Sequence, residues 1–180
     1  SEAAALSILW LANPDLTLHH EPLGSPEHLH ALKIVDGLVG EVLHAVKAQE
    51  ERFDTLLLVG SDHGHETVGR SIHVGNWLLQ QGLESELQHG RIAVASQGTS
   101  ALIYATEKAR AALVELLPRL RQEAWAGTVL TGEALARTGL SGRELFAAVD
   151  TARRDEQNAY GVVGTRWLAS APRKPGRFSC

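Results

Sequence analysis

Asp62 and His63 stand side by side in Ser61-Asp62-His63-Gly64-His65-Glu66, directly behind the apolar run Leu56-Leu57-Leu58-Val59-Gly60. A second carboxylate–imidazole pair, Asp15 and His19, follows the apolar stretch Leu6 to Ala12. Carboxylate oxygens and neutral imidazole nitrogens are good ligands for zinc, and carboxylates also suit manganese or magnesium. Asp15 and His19 are four residues apart, so a turn between them would bring both onto one ion. Asp62 and His63 are adjacent and would face opposite sides of an extended strand. At a strand terminus the backbone turns, and Gly64 permits the unusual dihedrals that would aim both inward. The pattern predicts a metal site built from two strand ends. His20 is an alternative to His19 as ligand. His65 and Glu66 fit the partners that hold a ligand imidazole in orientation.

The elements that must position these groups read as follows. Residues 7–12 and 55–60 are expected as buried strands, the first ended by the turn pair Asn13-Pro14. A polar loop from Asp15 to Gly24 separates the first strand from a helix. Ser25 is its N-cap, Pro26 its first helical residue and Glu27 the acid of its first turn. Leu29, Leu32, Val35, Val39, Val42 and Val46 give it an apolar stripe as far as about residue 49. Further on, a short helix over 72–81 ends at Gly82, and strands 91–95 and 100–105 are joined by Gln97-Gly98-Thr99. A helix from Thr106 is expected to break near Pro118, followed by a short helix at 132–139 and a strand at 145–149. The strand–helix–strand order argues for a parallel α/β core, with the hairpin as an antiparallel addition on its edge. Active crevices of such sheets lie at the carboxyl ends of the strands, where both pairs fall.

At 180 residues and 44% apolar content, the chain can build one domain core. A net charge of −4, spread without a basic block, gives no nucleic-acid or anionic-membrane footprint. The single cysteine, Cys180, excludes an internal disulfide and a multi-cysteine metal site, and has no neighbour to activate it. No apolar run reaches the roughly 18 residues of a membrane span. His28, His30, His44, His73, His89 and Asp36 are expected on solvated faces, and Trp77, Trp125 and Trp167 in packing. Trp10 lies close enough in sequence to border the site. Compartment and oligomeric state have no handle in the sequence.

Pro14-Asp15-x-x-x-His19 and Ser61-Asp62-His63-Gly64, in this order, resemble the alkaline phosphatase superfamily, and within it the type I phosphodiesterase and nucleotide pyrophosphatase group. Softer echoes are Asn76-Trp77-Leu78 before Gly82-Leu83, Thr131-Gly132-Glu133-Ala134-Leu135, and Asn158-Ala159-Tyr160-Gly161. The resemblance implies a three-layer α/β sandwich with a mainly parallel sheet. It also implies two divalent ions, commonly zinc with manganese as the alternative, flanking a Thr or Ser nucleophile. Asp15 and His19 would hold the first ion, and Asp62 and His63 the second. The remaining ligands of such a site, an early Asp, the nucleophile and a late His, would precede Ser1 or follow Cys180.

The chain has no methionine. Together with the missing ligands, this leads to the expectation of a single partial catalytic domain, an internal piece that binds zinc weakly and hydrolyses nothing by itself. In the complete protein the expected activity is metal-dependent hydrolysis of phosphodiester or nucleotide pyrophosphate bonds in a small phosphorylated substrate. The alternatives are a phosphonoacetate hydrolase-like or phosphomutase-like relative, or a non-catalytic metal-binding homologue. If the two pairs failed to converge, the chain would be an unrelated α/β domain.

Overall fold

A computed structural model describes residues 6–140 and 142–170; Cys180 lies outside them. The fold is mixed α/β, with helices and two sheets. The chain divides into two compact units. The first runs to Thr67 and takes back Gln157–Val163; the second holds Val68–Glu156 and the chain from Gly164 onward.

The second unit owns the hydrophobic core. Strands β2 (Ile92–Gln97), β3 (Ser100–Ala105), β4 (Ala126–Thr131) and β5 (Leu145–Thr151) form a sheet in the order β2-β3-β5-β4, antiparallel at every pairing. The period-2 rule is plain in β3, where Ala101, Ile103 and Ala105 point inward. Strand β5 is buried on both faces from Phe146 to Val149, as suits a sheet interior. The predicted hairpin is present: Gly98 takes φ +62 and Thr99 a negative φ, the combination of a type II′ turn. It is half of an antiparallel sheet, however, and not an addition to a parallel one.

Helices α3 (Val74–Gln80), α4 (Glu84–Gln88) and α5 (Glu107–Leu120) pack on this sheet, and α6 (Gly132–Ala136) follows β4. Pro118 does not break α5, which continues to Leu120. Without an N–H, Pro118 cannot bond the carbonyl four residues back, and the helix ends two residues later. Trp77 and Trp125 meet edge-to-face at 5.8 Å in the core, and Trp77 Nε1 donates to Glu123 Oε1 at 2.9 Å. Trp167 is half-buried beneath the Arg70 guanidinium.

Three further strands were not foreseen: β1 (Thr67–Ile72), β6 (Arg153–Gln157) and β7 (Val163–Ala169), which make a second sheet in the order β1-β7-β6. In β1 and β6 the polar, mostly exposed residues lack the apolar signature that marks a strand in sequence. Nor were β4 and its Gly127 anticipated.

In the first unit, helix α2 (Pro26–Lys47) follows its sequence signals, with the buried Ser25 hydroxyl accepting from His28 N at 3.1 Å. Its inward stripe is Ala31, Val35, Val39, Val42 and Val46, while Leu29 and Leu32 are exposed. The expected strands 7–12 and 55–60 are corrected: neither pairs in a sheet. Leu6, Ile8, Leu9, Trp10, Leu56, Leu58 and Val59 are all exposed. A strand buried on both faces needs hydrogen-bonded neighbours on either side, and among the described residues no strand runs alongside either segment. Likewise, Asp15–Leu18 is a turn of helix, α1, where a loop was expected.

Three of the histidines assigned to solvated faces have definite partners. His28 Nδ1 accepts from Gly24 N, His73 Nδ1 caps α3 by accepting from Asn76 N, and His89 Nδ1 donates to Ser85 O. Asn158 ties the returning segment to the first unit, donating to Leu23 O at 2.7 Å and accepting from Tyr160 N and Val162 N.

Candidate metal centre

Helix α1 explains how Asp15 and His19 meet. Asn13 Oδ1 accepts from Thr17 N and Thr17 Oγ1, and His19 N donates to Asp15 O, so one helical turn is closed at both ends. Residues four apart on a helix share a face. His19 Nε2 accordingly lies 3.5 Å from Asp15 Oδ2.

The Asp62 region arrives as a bent, non-helical segment. Ser61 Oγ donates to His63 O at 2.6 Å, and His63 N donates to Asp62 Oδ1 at 3.1 Å. These local bonds hold Asp62 Oδ2 3.6 Å from His63 Nε2. Gly64 has no positive φ, so the unusual dihedrals that glycine permits are not what aims the pair, and a Cβ there would meet nothing.

Both segments face Asp15. Its Oδ1 is 3.8 Å from His63 Nε2 and 3.1 Å from His65 Nε2. Each oxygen of one carboxylate thus has its own company, His19 on Oδ2 and the two later histidines on Oδ1. The rings of His63 and His65 lie 5.4 Å apart, and those of His19 and His65 6.1 Å. One ligand atom each from Asp15, His63 and His65 lies within 4.8 Å of the others. Asp62 contacts His63 but is not part of that triad. Glu66 follows His65 on an exposed stretch, and His20 is exposed. Sequence reasoning gave His65 only an orienting part. The signal that would have raised it is its two-residue spacing from His63, which puts two side chains on one side of an extended chain.

Electrostatics favours a cation here. Gly64 O can only accept, so at 3.0 Å it fixes the proton of His63 on Nδ1. In the neutral ring Nε2 then presents a lone pair toward two carboxylates. Asp15 Oδ1 is buried and has no hydrogen-bond partner, although His65 Nε2 is so near. Asp15 Oδ1, His63 Nε2 and His65 Nε2 share one space, where a positive charge is favoured. An orphaned carboxylate oxygen and a His–carboxylate donor set both fit a divalent ion. The groups stay reachable from solvent: the side chains of Asp15 and His63 are 47% and 55% exposed.

The pattern of the type I phosphodiesterase / nucleotide pyrophosphatase family matches residues 2–159. Neither a curated protein nor a solved structure matches the chain. The matched span covers most of the sequence and contains Asp15, His19, Asp62, His63 and His65. The chain therefore belongs to the type I phosphodiesterase / nucleotide pyrophosphatase family of the alkaline phosphatase superfamily.

Proposed function

We propose that this chain supplies the metal-binding part of a hydrolase that cleaves phosphodiester or nucleotide pyrophosphate bonds, with a Thr or Ser nucleophile outside residues 1–180. Family membership supports a hydrolase of phosphodiester bonds. The observation that carries the metal part is Asp15, whose two oxygens meet imidazoles from two motifs more than 40 residues apart in sequence. Asp15 and His19 hold one ion and Asp62 and His63 a second, zinc being the first choice and manganese the next. When bound, such ions lower the pKa of a nucleophile or water and stabilise the attacking and leaving oxygens of an in-line displacement.

The chain's own residues do the holding. The His63 Nδ1–H bond to Gly64 O keeps the ring turned so that Nε2 faces the carboxylates. Helix α1 keeps Asp15 and His19 in register, and Glu66, next to His65 in sequence, is a candidate for a further orienting group. Half-exposed ligands leave access for a small phosphorylated substrate. In the same reading residues 1–180 are a partial catalytic domain of an alkaline-phosphatase-like three-layer sandwich.

The test is hydrolysis by the protein expressed from its whole coding region and loaded with Zn2+. Bis-nitrophenyl phosphate should be cleaved in preference to mono-nitrophenyl phosphate, and Asp15→Asn should abolish the activity. Preference for the monoester would reject the diesterase assignment. Intact metal binding without any hydrolysis would identify a non-catalytic homologue.

A further inference from the structure

We propose that His65 is itself a metal ligand, binding a divalent cation through Nε2 together with Asp15 Oδ1 and His63 Nε2. The inference rests on the metal-dependent reading above and adds a residue to it, since the family resemblance assigns ligand roles only to Asp15, His19, Asp62 and His63.

The geometry separates His65 from an orienting neighbour. A residue that orients a ligand imidazole bonds the ring nitrogen turned away from the metal. For His63 that nitrogen, Nδ1, is already taken by Gly64 O at 3.0 Å. Instead His65 brings Nε2 to 3.1 Å from Asp15 Oδ1, the shortest approach in the cluster. That oxygen nonetheless remains buried without a hydrogen bond. A contact so short that is not a hydrogen bond means the ring nitrogen's axis is not aimed at the oxygen, so that in the Nδ1–H tautomer of His65 both lone pairs are left for a third atom. Two donors about 2.0–2.1 Å from a tetrahedral ion lie roughly 3.3 Å apart. The Asp15–His65 and Asp15–His63 separations of 3.1 and 3.8 Å bracket that value.

His65 is also the better sheltered of the two imidazoles, with 21% of its side chain exposed against 55% for His63. Two histidines and one carboxylate with an open position are the ligand set of a catalytic zinc. His19 stays on the other carboxylate oxygen, Oδ2, which leaves Oδ1 to His63 and His65.

The test is a Zn2+ titration of the 180-residue protein, followed by calorimetry and by long-range 1H–15N spectra of its histidine rings. Wild type should bind Zn2+ with the Nε2 resonance of His65 moving to the metal-bound range, assigned by its absence in His65→Gln. His65→Gln and His65→Ala should weaken binding by more than about 100-fold, beyond the roughly 10–100-fold that an orienting partner costs. His20→Ala should leave it within about twofold. Zinc binding by wild type with the His65 Nε2 signal unmoved would overturn the proposal while leaving the metal centre standing, and this readout does not depend on the variants folding. No zinc binding by wild type at millimolar concentration would reject the metal-centre reading and this inference with it.

Discussion

Asp15 holds a carboxylate between three imidazoles, with one oxygen toward His19 and the other toward His63 and His65. Asp15→Asn keeps the shape but removes the charge and one strong donor. It is expected to lower Zn2+ affinity by about 100-fold or more, read by calorimetry, with no loss of helix by circular dichroism. His63→Ala should do likewise. Gly64 carries the opposite expectation. Its φ is not positive and a Cβ would touch nothing, so Gly64→Ala should retain zinc affinity within about twofold and stability within ~0.5 kcal/mol. The residue types at the site were legible in sequence because Asp and His carry their chemistry with them. The grouping was not. That Asp15 Oδ1 would be shared by His63 and His65 depends on where two distant turns are held.

At the scale of elements, α2 and the β2–β3 hairpin follow local rules. Ser25 caps α2 from a fully buried position; Ser25→Ala should cost about 1 kcal/mol, measured as a lower unfolding midpoint in urea. Thr151 is buried in β5 with its hydroxyl between Thr99 O and Trp167 O, at 2.8 and 2.7 Å. Thr151→Val removes the single hydroxyl proton that these two carbonyls share, while Thr99 O keeps its bond from Thr151 N, and should cost about 1 kcal/mol by the same measurement. Between α4 and β2, Arg91 donates to both oxygens of Glu86, at 2.6 and 3.0 Å. This hydrogen bond holds the Glu86 carboxyl below the usual glutamate range. A carboxyl lowered by folding adds stability above its unfolded pKa and loses it as pH falls through its folded value. Wild type should therefore lose more thermal stability than Arg91→Gln between roughly pH 5 and pH 3. The Ser25 cap, the Gly98-Thr99 turn and the valines of the α2 stripe were read correctly because each is written within a few residues, whereas Leu29 and Leu32 of that stripe are exposed. Strands β1 and β6 were missed because exposed strands of charged and small residues carry no periodic signal.

Across the whole molecule, burial is uneven. The core of Trp77, Leu78, Ile92, Ile103, Leu113, Trp125 and Val149 belongs to the second unit. Leu6, Ile8, Leu9, Trp10, Leu56, Leu58 and Val59, all in the first, are exposed. Apolar surface of this kind binds hydrophobic dyes and promotes association. The 180-residue protein should enhance the fluorescence of anilinonaphthalene sulfonate in its native state, and Leu9→Asp with Leu58→Asp should reduce it. Equal fluorescence in the double variant would mean these runs are covered in solution. By itself the sequence determined the family, the donor types and the elements with local signals, because motifs, caps and turns are set by neighbouring residues. Only the tertiary structure decided that the two apolar runs lie unpaired, that the main sheet is antiparallel, and that His65 stands closest to Asp15. Strand pairing and side-chain convergence are settled between residues far apart in the chain, where no local pattern records which partner wins.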